Sequence, residues 1–508
     1  MDSEAVRLSL SFFSPELVLT GMILLVIVVD LVFKKSKGAV GIVALVGALA
    51  TLALIVAAWK SYPLGLAGVS AEGTRLFGGA VAYDKFSLFF KGLFLAATVV
   101  IILFAAPVVA KWQTGKGEIY ALMLSCTLGM CFMASANDLL MMYLSLEFVS
   151  ITSYILAGFL RKNRKSIEAS LKYILYGAAA SGLMIYGMSF LYGITGTLDL
   201  HETGVRLAAA NVPDTMKLVI GTLIMAGFGY KIAAAPFHFW CPDVYEGAPT
   251  PVTAFFSVGP KAAGFAMLIR FVQGVFEADA GGDNRFQWKV IFALMAVLTL
   301  VIGNFGALLQ TNLKRLLAYS SIGHAGIMLL AFAVFNAGTF SAISFYLAVY
   351  TIMNLGAFLV VIVLEEQFGI ETIEQCRGLG WRAPGICSLM VVFLLSLTGL
   401  PPTAGFIAKL VVFGNLVEYG WKDWHSGMPP LAISLAVIGV LFSVVSLFYY
   451  ARIIAAMFLS KPQETGPWLR SSPVSDGLMW ILAGATLAFG IFPQSLKHLA
   501  DAALLIVR

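Results

Sequence analysis

Long apolar runs recur along the whole chain and are separated by short polar gaps. As an α-helix, a run of roughly 20 apolar residues crosses the hydrocarbon core of a bilayer, which is about 30 Å thick. The pattern therefore predicts fourteen transmembrane helices with the approximate limits 14–33, 39–59, 86–110, 118–134, 138–160, 166–193, 217–240, 249–273, 288–309, 313–333, 340–365, 386–415, 431–460 and 475–492. The longest gaps, near 60–85 and 194–216, are too short for a separate soluble domain.

Composition excludes a water-soluble protein. Hydrophobic residues make up 60% of the chain and charged residues only 12%, with a mean hydropathy of +0.90. Soluble domains are about 25% charged, so lipid must cover most of this surface. The net charge of +6 does not indicate nucleic acid, because the basic residues stand in short gaps between apolar runs, as Lys34, Lys35 and Lys37 do.

The basic gaps orient the predicted helices. No basic region precedes the first apolar run and a positive cluster follows it, so we expect an anchor and not a cleaved signal. By the positive-inside rule, an even number of helices then leaves both termini outside, on the periplasmic side of a bacterial inner membrane. The gaps predicted to be cytoplasmic contain Lys34–Lys37, Lys111–Lys116, Arg161–Lys165, Lys314–Arg315, Arg377–Arg382 and Lys461–Arg470.

One short pattern occurs twice. Residues 226–231 read AGFGYK and residues 404–409 read AGFIAK, in the seventh and twelfth predicted helices. Pro236 follows the first copy and Pro401-Pro402 precede the second, and proline interrupts a helix. The copies are five helices apart, an odd number, so their surroundings have opposite topology. Inverted repeats with corresponding broken helices are typical of transporters.

Four ionisable residues fall well inside apolar helices: Glu147, Lys231, Lys261 and Lys409. Each costs about 2.5–3.5 kcal/mol at a helix centre. Burial disfavours the charged form of a lysine and a nearby carboxylate restores it, so a lysine with a variable carboxylate neighbour can load and release a proton. We predict that these four residues transfer protons. The alternatives are a structural ion pair at Glu147 and static counter-ions at the lysines.

Two histidines are further candidates. His238 follows the break at Pro236 and His324 lies inside the tenth predicted helix, and either could relay protons or serve only in packing. Glu168 and Lys172, at i,i+4, indicate a surface ion pair. Three aspartates near predicted helix ends could gather protons or face water: Asp84, Asp138 and Asp243.

The sequence indicates no redox cofactor in this chain. None of its five cysteines forms a CxxC pair, whereas an iron–sulfur cluster needs four grouped thiolates. No glycine-rich turn of the dinucleotide-binding type follows a predicted strand.

Three segments carry a resemblance to a known family. Residues 236–249, PFHFWCPDVYEGAP, closely resemble the PFHxWxPDVYxGAP signature of the subunit N family of the proton-pumping NADH:quinone oxidoreductase, respiratory complex I. Residues 313–326 and 397–406 are also similar to that family. The resemblance implies an all-α membrane protein with two inverted five-helix repeats, helices 4–8 and 9–13. Applied to this chain, it implies one bundle over 1–508: helices 1–3 in 1–117, the repeats in 118–273 and 288–460, and a last helix in 475–508.

The same resemblance assigns roles and partners. It implies that Glu147 and Lys231 form a pair, that Lys261 connects the two halves, and that Lys409 is the lysine of the second broken helix. The M-type relatives carry glutamate at that last position, and the L-type relatives are longer. The implied function is proton translocation coupled to quinone reduction elsewhere in the complex. The M-type antiporter-like subunit and subunit K would be neighbours, and flavin, iron–sulfur clusters and quinone would be bound by partner subunits.

Two other functions compete with that one. A subunit of a multisubunit cation/proton antiporter would share the broken helices and lysines but would not need electron transfer; the PDVYEGAP segment favours the first interpretation. A passive membrane scaffold would not retain four buried charges.

Overall fold

The computed structural model describes residues 3–32, 37–62, 73–112, 115–210, 212–276, 284–334, 337–422, 429–460 and 472–504. These residues are mostly α-helical, as predicted. The helices are α1 (Ser3–Phe12), α2 (Ser14–Val32), α3 (Lys37–Ser61), α4 (Lys85–Ala110), α5 (Lys116–Ser135), α6 (Leu139–Ala157), α7 (Arg164–Thr195), α8 (Leu200–Ala209), α9 (Asp214–Ile232), α10 (Trp240–Gly247), α11 (Thr250–Phe271), α12 (Asn284–Leu308), α13 (Leu313–Ala331), α14 (Ala337–Phe368), α15 (Leu379–Arg382), α16 (Pro384–Thr398), α17 (Ala404–Lys422), α18 (Pro429–Phe458), α19 (Pro473–Ile491) and α20 (Gln494–Ala502).

A small antiparallel hairpin lies in the long gap after α3. Its strands are β1 (Thr74–Leu76) and β2 (Val81–Tyr83), and Thr74 is paired with Tyr83. The sequence pattern did not predict it, because two three-residue strands carry too few positions to show an alternation.

Twelve helices of the described residues are long and apolar enough to cross a membrane, which makes this a multi-pass membrane protein. They are α2–α7, α9, α11, α12, α14, α18 and α19. The tenth predicted span coincides with α13, which lies outside this set of twelve, and the twelfth coincides with two helices, of which α16 has only 15 residues. The number fourteen therefore stays a prediction.

Both spans predicted to be broken are interrupted beside their prolines. Helix α9 ends at Ile232, and helical structure resumes at Trp240, after Pro236. Helix α16 ends at Thr398 and α17 begins at Ala404, with Pro401-Pro402 between them. The inverted relation between the two regions stays a prediction.

Polar residues at the edges of the apolar runs fix where helices begin. The Asp84 carboxylate accepts a hydrogen bond from the Ser87 backbone N–H at 2.8 Å, and Ser87 Oγ accepts one from the Asp84 N–H at 3.2 Å, a reciprocal capping box. Asn312 caps α13 in the same way by accepting from the Arg315 N–H at 3.1 Å. Each cap satisfies backbone donors that lipid would leave unpaired.

The chain separates into two compact units. The first comprises Met1–Ile232, Gly259–Gln287 and Asp501–Arg508, and within it α7 packs along α9, and α5 packs on α2, α4 and α6. The second comprises Ala233–Val258 and Trp288–Ala500, and within it α14 is almost wholly buried by helices that include α16, α17 and α19. The predicted subdivision at 117, 273 and 288 stays a prediction.

Candidate functional site

Lys231 occupies a buried polar site in the first unit. It is the penultimate residue of α9 and only 1% exposed. Its Nζ donates a hydrogen bond to Ser150 Oγ on α6 at 3.0 Å. Glu147 lies one turn before Ser150 on the same helix, and its charge interacts with that of Lys231. The ammonium group therefore has the Ser150 hydroxyl as its direct partner, and the Glu147 carboxylate lies one turn of α6 from that hydroxyl.

The Glu147 carboxylate is not engaged in a direct ion pair. It is half-buried, and no Lys231 nitrogen lies within the 4.0 Å that defines a salt bridge. Its Oε1 is buried and has no hydrogen-bond partner within the described part of the chain. A buried acceptor of this kind is costly unless water or a proton reaches it, which is the property expected of a group that titrates.

Three tyrosines surround this pair, and the sequence alone did not single them out. Tyr230 Oη donates to the Tyr173 carbonyl at 3.0 Å, and the Tyr154 and Tyr173 rings lie 5.0 Å apart. Gly177 makes room for them: a Cβ there would lie 1.9 Å from Tyr154 Oη and 2.6 Å from Tyr230 Oη. The hydroxyls of Tyr154 and Tyr230 thus converge at Gly177, and Tyr230 is the residue that precedes Lys231.

Lys261 lies near the same site, buried within α11. Gly264 follows it by three residues, so both occupy one face of the helix. A Cβ on Gly264 would stand 2.9 Å from Ile232 Cγ2 and 3.2 Å from Lys231 Cγ. This face of α11 therefore packs against the end of α9, one helical turn from Lys261.

In the second unit, α16 ends in a Schellman motif. Gly399 adopts a left-handed backbone with φ 88° and donates to the Leu395 and Ser396 carbonyls at 3.0 Å. The next amide, that of Leu400, donates to the Leu395 carbonyl at 3.1 Å. This pattern uses the carbonyls of Leu395 and Ser396, but it does not use the carbonyl of Thr398.

Lys409 donates a hydrogen bond to the Thr398 carbonyl. Its Nζ donates to the Thr398 oxygen at 2.7 Å, and this is its one polar contact among the described residues. The carboxyl end of a helix carries partial negative charge, which stabilises a cation. Its stem passes directly over Gly399, where a Cβ would lie 2.7 Å from Lys409 Cδ. Lys409 is therefore held by the backbone of the broken helix and not by a carboxylate.

His324 is hydrogen-bonded on both ring nitrogens in the second unit. Its Nδ1 lies 2.7 Å from Tyr346 Oη and its Nε2 lies 3.5 Å from Tyr450 Oη. The Tyr350 ring packs 5.1 Å away, and Tyr350 Oη donates to Ser321 Oγ at 2.8 Å. The arrangement fits a packing histidine and equally a proton relay through hydroxyls, so the structure leaves both interpretations open.

His238 lies in the break between α9 and α10. It is 5% exposed, and its Nδ1 has no hydrogen-bond partner among the residues that the structure describes. Its ring lies 4.3 Å from that of Phe239. A buried imidazole nitrogen without a partner is suited to exchange a proton with water, which the packing interpretation does not require.

Two buried ion pairs in the first unit were missed by sequence reasoning. Lys91 Nζ lies 2.6 Å from Glu16 Oε1, with both side chains under 5% exposed. Arg270 Nη2 lies 2.7 Å from Asp84 Oδ1, and Arg270 Nε donates to the Ala134 carbonyl at 2.5 Å. Lys91 could have been found, because it lies six residues inside an apolar helix. The pairings could not, because each partner lies far away in sequence.

The segments that carry the family resemblance hold each other in place. Lys314, at the start of α13, is buried, and its Nζ lies 3.1 Å from Glu365 Oε1. Arg315 Nη1 lies 2.6 Å from Asp243 and 3.1 Å from Glu246, both in the PDVYEGAP segment. Asp243 thus has an arginine partner, which the two alternatives offered for it did not include. The predicted surface pair Glu168–Lys172 is confirmed at 2.7 Å.

Comparison with known proteins decides the family. Residues 136–425 match the family model described as NADH:quinone oxidoreductase/Mrp antiporter, TM. The chain is 46% identical to NADH-quinone oxidoreductase subunit N 2 of Sorangium cellulosum, over 95% of each chain. It is 42% identical to subunit N of an Anaeromyxobacter species, over 98% of this chain and 97% of the relative. The chain belongs to the NADH-quinone oxidoreductase subunit N family.

Solved structures agree with this membership. A chain of respiratory complex I from Thermus thermophilus superposes with a TM-score of 0.76 at 31% identity, covering 96% of this chain and 99% of that one. A chain of the Mrp complex from a Dietzia species gives a TM-score of 0.80 at 22% identity, covering 97% of each. The second likeness shows the fold alone, so the antiporter alternative is less supported than membership of the subunit N family.

Proposed function

We propose that this chain is a proton-translocating membrane subunit of an NADH:quinone oxidoreductase, and that it couples quinone reduction in other subunits to proton transfer through its buried lysines. The observation that carries the proposal is the Lys231 site. A buried ammonium group there has a hydroxyl as direct partner and a carboxylate one turn away, with a carboxylate oxygen left unpaired.

This geometry suits a proton that is alternately held and released. Movement of the Glu147 carboxylate toward Lys231 would favour the protonated lysine, and movement away, or protonation of Glu147, would favour release. Moving one charge against about 150 mV requires roughly 3.5 kcal/mol. A pKa change of about 2.5 units corresponds to that free energy. One carboxylate that makes and breaks contact in a buried site supplies a change of this size.

The other candidate residues extend the pathway. Lys261 lies on the face of α11 that packs at Lys231, and it would pass protons on from that site. His238, His324 and Lys409 would form the corresponding part in the second unit, with tyrosine hydroxyls and water as intermediates. Lys409 would load and release its proton against a helix end.

We infer the partners and the placement in the membrane from family membership. The M-type antiporter-like subunit and subunit K are the proposed neighbours, and flavin, iron–sulfur clusters and quinone are expected in other subunits. The chain would lie in the bacterial inner membrane with both termini on the periplasmic side. The accessibility of cysteines introduced at the two termini to a membrane-impermeant thiol reagent tests this orientation.

The direct test is Lys231→Ala in the assembled complex. We expect proton uptake by inverted membrane vesicles, driven by NADH and quinone, to fall at least about tenfold, because general acid–base groups typically contribute more than that. NADH oxidation by an artificial acceptor, which bypasses the membrane subunits, should be unchanged.

Lys172→Ala is the matched control, since Lys172 pairs with Glu168 at an exposed position of α7. It should pump normally. Normal proton uptake in an assembled Lys231→Ala complex would refute the proposal.

A further inference from the structure

A cleft in the first unit lies apart from the lysine sites. Its volume is about 1020 Å³, at the upper end of the roughly 300–1,000 Å³ typical of ligand sites. It lies between the start of α5 and the turn joining α6 to α7. Trp112 and Gly115 come from one gap that the sequence predicts to be cytoplasmic and Arg161–Arg164 from another, and these residues line one cleft.

Three cations line this cleft: Arg161, Lys162 and Arg164. All three are exposed, and none has an acidic partner among the residues that the structure describes. The one carboxylate in the lining is Glu118, so the cleft has an excess of positive charge. An anionic ligand would satisfy that excess.

Packed aromatic side chains form the inner wall of the cleft. The Trp112 and Phe159 rings stack with centroids 5.5 Å apart. Gly115, at φ 77°, permits the contact, because a Cβ there would lie 2.8 Å from Phe159 Cζ. Tryptophan at the boundary of an apolar helix is typical of the membrane–water interface.

The cleft opens onto an exposed apolar face of α6. Ile155 lines it and is 49% exposed. Ile151 and Leu144, one and three turns back along α6 from Ile155, are also about half exposed, and the spacing places all three on one face of the helix. A ligand bound to the cations would therefore lie beside an exposed apolar face of α6, against which an acyl chain could pack.

We propose that this cleft binds the headgroup of an anionic phospholipid, with one acyl chain along the Ile155 face of α6. The positive charge excess selects for a phosphate-bearing headgroup, and arginine forks match phosphate oxygens. The neighbouring apolar face selects for a lipid over a free anion. Basic clefts between membrane helices are known to bind such headgroups.

Photo-crosslinking in the assembled complex tests the proposal. The probe is a phosphatidylglycerol with a photoactivatable acyl chain, and cross-links to the 151–164 peptide are quantified. Unlabelled phosphatidylglycerol should compete, whereas phosphatidylcholine and inorganic phosphate should not. In Arg161→Gln/Lys162→Gln/Arg164→Gln, the competing concentration should rise about a hundredfold, because each basic residue near an anionic headgroup contributes about fivefold.

A second triple variant serves as the control: Arg377→Gln/Lys422→Gln/Lys497→Gln removes three exposed cations that do not line the cleft. It should cross-link like the unmodified complex. Ile155→Gln should reduce cross-linking without affecting the basic residues. Equal losses in both triple variants, competition by inorganic phosphate, or absence of cross-links because a partner subunit covers the cleft would each overturn the proposal.

Discussion

The two broken helices carry the same short pattern but hold their lysines in different ways. At the first, Lys231 donates to the Ser150 hydroxyl and interacts with the Glu147 carboxylate. At the second, Lys409 donates to the backbone carbonyl of Thr398. A carboxylate can gain or lose its charge and can move by a rotamer change, whereas a helix-end carbonyl can do neither.

This difference teaches that the repeated pattern specifies a position and not an electrostatic environment. The AGFxxK segments place a lysine beside a helix break in both regions. The neighbouring elements then decide what stabilises its charge. We infer that proton affinity is adjustable at Lys231 and largely fixed by the fold at Lys409. The variants below test that contrast.

The largest effect is expected from Glu147→Gln. Glutamine keeps the size and removes the charge that interacts with Lys231, so coupled proton uptake should fall at least about tenfold. Glu168→Gln, which alters only an exposed pair on α7, is the control and should be neutral. Full pumping by Glu147→Gln would show that the charge of this carboxylate is not what distinguishes the Lys231 site from the Lys409 site.

Gly399→Ala should have an intermediate effect and should act at the second site. The left-handed backbone costs about 1–2 kcal/mol for a residue with a Cβ, and that Cβ would lie 2.7 Å from Lys409 Cδ. We expect a lower thermal unfolding temperature and a several-fold loss of proton uptake. Gly414→Ala, which lies on α17 with Lys409 and has open space around it, should be tolerated. Equal behaviour of the two variants would argue against the close packing of Lys409 on Gly399.

Ser150→Ala should have the smallest effect. It removes one hydrogen bond to Lys231 and leaves the carboxylate, which corresponds to about 1.5–3 kcal/mol at most for a bond to a charged group. Water can replace the hydroxyl in a polar site, so we expect a two- to fivefold loss of coupled turnover, measured at saturating quinone. A loss as large as that of Glu147→Gln would make the hydroxyl, and not the carboxylate, the dominant partner.

The sequence predicted the helix breaks because their cause is local. Proline cannot donate to the helix ladder, and Pro236 and Pro401-Pro402 are visible in the chain. Burial of Lys231, Lys261 and Lys409 followed from their place inside apolar runs, and all three are buried.

Partner choice could not be predicted in the same way. Ser150 is 81 positions away from Lys231, and Thr398 contributes a backbone atom that no residue type reveals. The Schellman end of α16, which frees that carbonyl, depends on the left-handed conformation of Gly399. Lys314 lies at the second position of α13, inside the predicted span 313–333, but its pairing with Glu365 could not be predicted because the two residues are 51 positions apart.

The most direct test of an adjustable lysine is Lys231→Arg in an assembled complex. Arginine keeps the positive charge but does not release its proton near neutral pH. The measurement is the number of protons taken up per NADH oxidised in vesicles, with co-purification of this chain with the other subunits as the check on assembly. We expect strongly impaired uptake, close to that of Lys231→Ala. Near-normal uptake would contradict proton loading at Lys231 and would make the residue a fixed charge.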